Sequence, residues 1–131
     1  IGPIQKKAVK RTAAFREWFD ALGDQIAKTA IAARIERVGE GLKGDVKSIG
    51  EGVWEIRVDD GPGYRVYFTE VGNVIVLLLL GGDKSTQKKD VKAAKKMLSD
   101  MVKERKAKQA EAEKAAKSNR PAPATSRTPK R

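Results

Sequence analysis

The chain contains neither cysteine nor histidine among its 131 residues. Without cysteine it forms no disulfide and no thiolate metal site, which favours a reducing compartment. Without histidine it lacks the usual metal ligand and the commonest general base near neutral pH, so acid–base catalysis must use Glu, Asp, Lys, Arg or Tyr. These absences exclude zinc-dependent hydrolysis, and no metal or cofactor is expected.

Long apolar segments are also missing. The longest, residues 74–80, is far shorter than the roughly 20 residues that span a bilayer. No charged segment followed by an apolar stretch opens the chain, so we expect a soluble, cytoplasmic protein without membrane contact. A chain of 131 residues is long enough for one hydrophobic core and too short for two ordinary domains.

Basic residues are in excess, and most of the excess lies near the end of the chain. The net charge is +11, of which +4 falls on residues 1–100 and +7 on residues 101–131. A basic chain attracts nucleic acid, acidic proteins and anionic lipid alike. Residues 103–117 lack an apolar stripe and are predicted to form a solvated helix, whereas the proline-containing residues 118–131 are predicted to be disordered. The sequence thus predicts a folded domain over 1–102 and a basic tail over 103–131.

Two helices are predicted in the N-terminal part of the chain, after a short strand over residues 4–9. Thr12 is placed to cap a helix that ends at Leu22, with apolar residues at helical spacing: Phe15, Trp18, Phe19 and Leu22. Asp24 is placed to cap a second helix that ends near Val38, with an apolar stripe of Ile26, Ala30, Ile31, Ile35 and Val38.

From residue 43 onward, apolar residues recur with a period of two. A strand over 53–59 places Trp54, Ile56 and Val58 on one face, and Val53, Glu55, Arg57 and Asp59 on the other. Turn residues 60–63 lead to a second strand over 64–70, and if the two strands pair through this turn, Glu55, Arg57, Arg65 and Tyr67 share one face of the sheet. Residues 74–80 are apolar on both faces, as a covered central strand is. The pattern predicts an antiparallel meander of three strands. Gly81-Gly82-Asp83 is predicted to end the sheet, and a helix begins near Thr86.

Several separated motifs carry a resemblance to a known family. They are FREWFDAL at residues 15–22, GDVKSIGEGVWEIRVDDGPGYRVYF at 44–68 and VIVLLLLGGDKSTQKKDVKAA at 74–94. Over residues 10–100 the chain resembles the RelE/ParE toxin superfamily, specifically the HigB-like, phage-related addiction module killer proteins. The resemblance implies an α+β fold in which two N-terminal helices pack on a small antiparallel sheet, followed by a C-terminal helix.

The resemblance also implies the toxin of a type II toxin–antitoxin pair, neutralised by a cognate antitoxin that is a helix-turn-helix repressor. Members similar to RelE and HigB cut messenger RNA on the ribosome, whereas ParE-like members poison DNA gyrase. We expect a ribosome-dependent, metal-independent endoribonuclease that inhibits translation. Two alternatives remain: a ParE-like gyrase poison and a noncatalytic basic RNA-binding module.

Metal-free RNA cleavage needs a proton acceptor, a proton donor and cations around the phosphorane. By motif position, the resemblance assigns the cationic roles to Arg57, Arg65 and Lys84, of which the last two are expected to bind phosphate. RelE has a second lysine where this chain has Glu55. The tyrosine or histidine that relatives carry near the C-terminal end has no obvious counterpart here, since Asp90 occupies about that position. The general base therefore stays open among Glu55, Tyr67 and Asp90. Further candidates for RNA phosphate contacts are Lys43, Lys47, Lys88 and Lys89.

The same residues have simpler structural interpretations. Glu55 and Arg57, lying across from Arg65, are also consistent with cross-strand ion pairs on a solvated sheet face. Trp18, Phe19 and Trp54 are expected in the core rather than as platforms for nucleic acid bases. The stretch GGDKST resembles a phosphate loop but lacks the full spacing of one, so nucleotide binding is not favoured.

Overall fold

The computed structural model describes residues 6–42, 44–59 and 61–119. The chain divides into two units, Ile1–Leu98 and Ser99–Arg131. In chain order the elements are β1 (Ala8–Arg11), α1 (Ala13–Ala21), α2 (Gln25–Gly39), β2 (Val46–Gly50), β3 (Val53–Val58), β4 (Tyr64–Val71), β5 (Ile75–Asp83), a short 3₁₀ helix (Lys84–Thr86) and α3 (Gln87–Asn119). The class is mixed α+β, as predicted.

The five strands form one sheet in the order β1-β5-β4-β3-β2. The predicted meander is confirmed as β3, β4 and β5, but the sheet is mixed rather than purely antiparallel because β1 pairs in parallel with β5. The strand predicted over residues 4–9 is observed as β1 at Ala8–Arg11, and residues 4 and 5 lie outside the described residues. β2 was not predicted, because a register shift between Ser48 and Gly50 disturbs its alternation.

Both predicted helix N-caps are confirmed. The Thr12 hydroxyl accepts a hydrogen bond from the Phe15 amide at 3.0 Å. The Asp24 carboxylate accepts from the amides of Ile26 and Ala27 at 3.0 and 3.1 Å. The predicted stripe of α2 is wrong at Ile26, which is 78% exposed. Nine residues are about two and a half helical turns, so Ile26 and Ile35 lie on opposite sides of the helix, and Ala27 is buried instead.

The hydrophobic core lies between α1, α2 and one face of the sheet. Its fully buried members include Phe15 from α1, Ile31 from α2, Ile56 from β3 and Phe68 from β4. As expected, the partly buried side chains that pack against this cluster include Trp18, Phe19 and Trp54. The core therefore uses the apolar face predicted for the hairpin.

Gly81 and Gly82 do not end the sheet, contrary to the prediction. Both lie within β5, which continues to Asp83 opposite Tyr64. A Cβ atom on Gly81 would overlap the indole ring of Trp18, and one on Gly82 would overlap the carboxylate of Asp90. The two glycines therefore serve close packing on both faces of the strand rather than chain reversal.

α3 begins at Gln87, close to the predicted position. Among the apolar residues of this helix, Ala94 is fully buried, Val91, Met97 and Leu98 are half-buried, and Val102 is 43% exposed. The helix predicted over 103–117 is confirmed, and Glu104 pairs there with Lys108 at 3.5 Å. Residues 118 and 119, at the start of the segment predicted to be disordered, are the last two residues of α3, and residues 120–131 lie outside the described residues. The division into a domain 1–102 and a tail 103–131 stays a prediction.

Among the helices of the described ranges, none combines the length and the apolar content that a bilayer crossing requires.

Candidate functional site

The register of the hairpin brings four of the candidate residues onto one face of the sheet. Glu55 on β3 lies opposite Tyr67 on β4, and Arg57 lies opposite Arg65. Residues directly opposite each other in an antiparallel pair point to the same side, and alternate residues along a strand share that side. All four side chains therefore lie on the face opposite the hydrophobic core, as the sequence predicted.

This face is not solvated, which corrects the expectation of exposed ion pairs. Glu55 and Arg65 are each 2% exposed, and Tyr67 is 0% exposed. The N-terminal turns of α3 pack on this side of the sheet: the Gln87 amide Nε2 donates to Glu55 Oε2 at 2.7 Å, and Asp90 lies against Gly82. Alternation along a strand shows only that a face is polar, so this cover was not predictable from the sequence.

Arg65 is buried but reaches one exposed partner. Its Nη1 donates to the Tyr64 carbonyl at 2.9 Å and to Asp59 Oδ1 at 3.4 Å, and the Asp59 side chain is 69% exposed. Glu55 accepts from Gln87 rather than pairing across the hairpin. Within the described part of the chain, the Nε atoms of Arg57 and Arg65 are buried without a hydrogen-bond partner. The two guanidinium groups therefore keep unused donors.

The Tyr67 hydroxyl is buried and, among the described residues, has no hydrogen-bond partner. Burial raises its pKa well above the usual tyrosine range; the carboxylates of Glu55 and Asp90 add to the effect, and Arg65 opposes it. Tyr67 therefore holds its proton at neutral pH. A protonated hydroxyl can act as a proton donor, although the raised pKa makes Tyr67 a weaker acid than free tyrosine, and it cannot act as the general base at neutral pH.

Lys84 lies beside Arg65, in the 3₁₀ helix that follows β5. Its backbone amide donates to the Gly63 carbonyl at 3.0 Å. A Cβ placed on Gly63 would lie 2.8 Å from Lys84 Cδ and 3.9 Å from Arg65 Nη1, so the glycine leaves room for both side chains at this place. The buried guanidinium group of Arg65 and the exposed side chain of Lys84 thus both lie near Gly63.

Asp83 and Asp90 anchor the segment that carries Lys84. The Asp83 carboxylate accepts from the Ser85 amide at 2.8 Å, and the hydrogen bond from the Ser85 hydroxyl is the main cause that holds the Asp83 pKa below its usual value. Thr86 Oγ1 donates to Asp90 Oδ2 at 2.6 Å. The Asp90 carboxylate, which is close enough to affect Tyr67, therefore accepts a hydrogen bond at the start of α3.

Two shallow clefts flank the first turn of α3. One, of about 430 Å³, is lined by Lys84, Ser85, Thr86, Gln87, Lys88 and Lys89. The other, of about 560 Å³, is lined by Glu51, Gln87, Lys88, Val91, Lys92 and Lys95. Both contain several lysines and both include Gln87, which sequence analysis did not single out because no motif marks it.

The remaining lysine candidates are spread around this face. Lys47 is exposed on β2 and pairs in register with Glu55, and Lys88 and Lys89 are exposed in the first turn of α3. Lys43 lies outside the described residues. Across residues 6–42, 44–59 and 61–119, no group of three or more side chains is placed to hold a metal ion.

The sequence of this chain is similar to those of known proteins. The chain belongs to the family described as Phage derived protein Gp49-like (DUF891), whose sequence model matches residues 17–118, and this is a family of toxin-like proteins. The chain is also similar to an uncharacterized protein of Haemophilus influenzae, with 46% identity over 93 residues that cover 71% of this chain and 94% of the relative. A toxin-like family suggests an antitoxin as partner.

Proposed function

We propose that this protein is a RelE-like, HigB-type toxin of a type II toxin–antitoxin system, and that it cuts messenger RNA on the ribosome and so inhibits translation. The observation that carries the proposal is the hairpin register. It gathers Glu55, Arg57, Arg65 and Tyr67 on one face, and the side chains of Lys84 and Arg65 both lie near Gly63. A proton acceptor, a proton donor and three cations are the groups that metal-free RNA cleavage requires.

We assign a role to each side chain from its environment. The 2′-oxygen attacks the adjacent phosphorus while Glu55 accepts the 2′-hydroxyl proton. The bond from phosphorus to the 5′-oxygen then breaks, and the leaving oxygen takes the proton of Tyr67. Arg65, which favours the ionised form of Tyr67, compensates the tyrosinate, and Lys84 and Arg57 stabilise charge on the phosphorane.

Access to this machinery requires a change at its cover, because Glu55, Arg65 and Tyr67 are almost fully buried. The exposed Lys84, Lys88 and Lys89 can bind the RNA backbone first, as point-charge contacts that do not depend on base sequence. Binding energy gained at these lysines is then available to open the site. Lys47 extends the same cationic surface on β2.

The proposed partners are the ribosome with its messenger RNA and a cognate antitoxin. We infer that the antitoxin is a helix-turn-helix repressor that covers the basic face around Lys84. Such a partner would need acidic side chains, because lysines line both clefts at the start of α3.

A ParE-like gyrase poison is the second candidate. The burial of Glu55, Arg65 and Tyr67 favours it, because a poison acts through its outer surface and needs no exposed acid or base. The third candidate, a noncatalytic RNA-binding module, would use the exposed lysines alone.

The test is induction in bacteria of the wild type and of a variant with Arg65→Lys and Lys84→Ala, with Lys10→Ala and Arg16→Lys as a charge-matched control on exposed positions of β1 and α1. We expect new 5′ ends in translated messenger RNA with the wild type and the control, and their loss in the site variant. DNA breaks with intact messages would instead assign the protein to the gyrase poisons. If the wild type produces neither new 5′ ends nor DNA breaks but still binds RNA, the protein is the noncatalytic binding module.

A further inference from the structure

Gln87 connects the lysine-lined surface with the buried carboxylate of the proposed site. Its side chain lines both clefts at the start of α3, and its Nε2 donates to Glu55 Oε2 at 2.7 Å. Gln87 is half-buried, whereas Glu55 beneath it is 2% exposed. Gln87 is therefore the polar group that separates Glu55 from the clefts.

A buried carboxylate is costly unless hydrogen bonds hold it, because it has lost its hydration. The bond from Gln87 engages Oε2 and so fixes how the carboxylate is turned about its last torsion angle, which is otherwise broadly variable. In the proposed mechanism the proton goes to the other carboxylate oxygen, Oε1. The neutral amide provides this orientation without adding the positive charge that a lysine at the same place would bring.

We propose that Gln87 is the positioning residue of Glu55 and the wall between that carboxylate and the clefts. This inference rests on the proposed function, in which Glu55 accepts the 2′-hydroxyl proton. An RNA backbone held by Lys84 and Lys88 lies on the outer side of Gln87, and the path to Glu55 passes its side chain. Gln87 orients the acceptor oxygen and excludes water from it until the RNA arrives.

Two substitutions separate the two roles. Gln87→Met keeps the length and bulk of the side chain but removes the hydrogen-bond donor, whereas Gln87→Ala removes both. Gln109→Ala is the matched control, since Gln109 is an exposed glutamine of the same helix. Melting temperatures of all variants establish that each one is folded.

The first readout is single-turnover cleavage on ribosomes with a bound message. We expect the maximal rate to fall on the order of 10- to 100-fold in both Gln87 variants, with little change in half-saturating ribosome concentration, because a misdirected acceptor affects chemistry and not binding. Gln109→Ala should cleave like the wild type. A Gln87→Met variant that cleaves at the wild-type rate would refute the positioning role.

The second readout is independent of nuclease activity. Carboxylates are coupled to a small amine with a water-soluble carbodiimide, and labelling of Glu55 is measured by peptide mass spectrometry. We expect labelling to rise severalfold in Gln87→Ala, but not in Gln87→Met or Gln109→Ala. Equal labelling of Glu55 in the wild type and Gln87→Ala would refute the wall. If labelling behaves as expected while the wild type cuts no RNA, the wall stands and the proposed nuclease, together with the positioning role, is refuted.

Discussion

Replacing Gly81 with alanine tests the close packing of α1 on β5. A Cβ at this position would come within 3.0 Å of three ring atoms of Trp18. The indole has little freedom to yield, since its ring centroid lies 5.7 Å from that of Phe15 and 6.3 Å from that of Tyr64. Overpacking of this kind costs about 1–3 kcal/mol, and a rigid neighbour favours the upper part of that range.

The assay is thermal unfolding. For a domain of this size each kcal/mol shifts Tm by roughly 4–8 °C, so a loss of about 2–3 kcal/mol lowers Tm by roughly 10–20 °C. Gly23→Ala is the matched control, because a Cβ there meets no atom within 4 Å. It is expected to be neutral or to stabilise the fold by about 0.4–1 kcal/mol, through a less flexible unfolded chain.

A double mutant shows whether Trp18 is the cause. If the overlap with the indole destabilises Gly81→Ala, then adding Trp18→Leu makes room for the new methyl group. The combined loss should therefore be smaller than the sum of the two single losses, by about 0.5–3 kcal/mol. Strict additivity of the two changes, or a Gly81→Ala variant as stable as Gly23→Ala, would refute the packing argument.

Three further outcomes are expected. Asp24→Ala removes two capping hydrogen bonds and should cost about 1 kcal/mol in chemical denaturation, unlike the exposed Glu36→Ala on the same helix. The pKa of Tyr67 is higher in the folded state than in the unfolded state, so its contribution to stability is present below the unfolded value of about 10 and is lost as pH rises beyond it. Denaturation of the wild type from pH 9 to 11 should show this loss of stability. The Tyr67→Phe variant should lack the part of the loss that is due to Tyr67. Lys88→Ala with Lys89→Ala should reduce the salt dependence of RNA binding by about two phosphate contacts, and an unchanged slope would exclude both lysines from the interface.

Local chemistry predicted the parts of the fold that depend on neighbouring residues. Thr12 and Asp24 cap α1 and α2 because a short side-chain oxygen satisfies free amides at a helix start, whatever the rest of the chain does. The turn before Tyr64 set the hairpin register, and the register placed Glu55 and Tyr67 opposite each other. The shared face of the candidate site was therefore predictable.

What sequence analysis missed depends on contacts between distant segments. A Gly-Gly pair such as Gly81-Gly82 is typical of the end of a strand. Only the positions of Trp18 and Asp90 explain why these glycines lie within β5. The burial of Glu55 depends on where α3 packs, and its contact with Gln87 joins residues that are 32 positions apart. Polar alternation cannot distinguish a face that meets water from one that meets a polar helix face.

The parallel pairing of β1 with β5 has a consequence for the order of folding. Ala8 pairs with Ile75, and the Thr12 hydroxyl donates to the Leu79 carbonyl across 67 residues. The entropic cost of closing so long a loop makes this pairing slower than the hairpins of the meander, whose turns are short. In a chain that leaves the ribosome with its N-terminus first, β1 is synthesised before β5, yet it cannot take its place at the sheet edge until β5 has emerged.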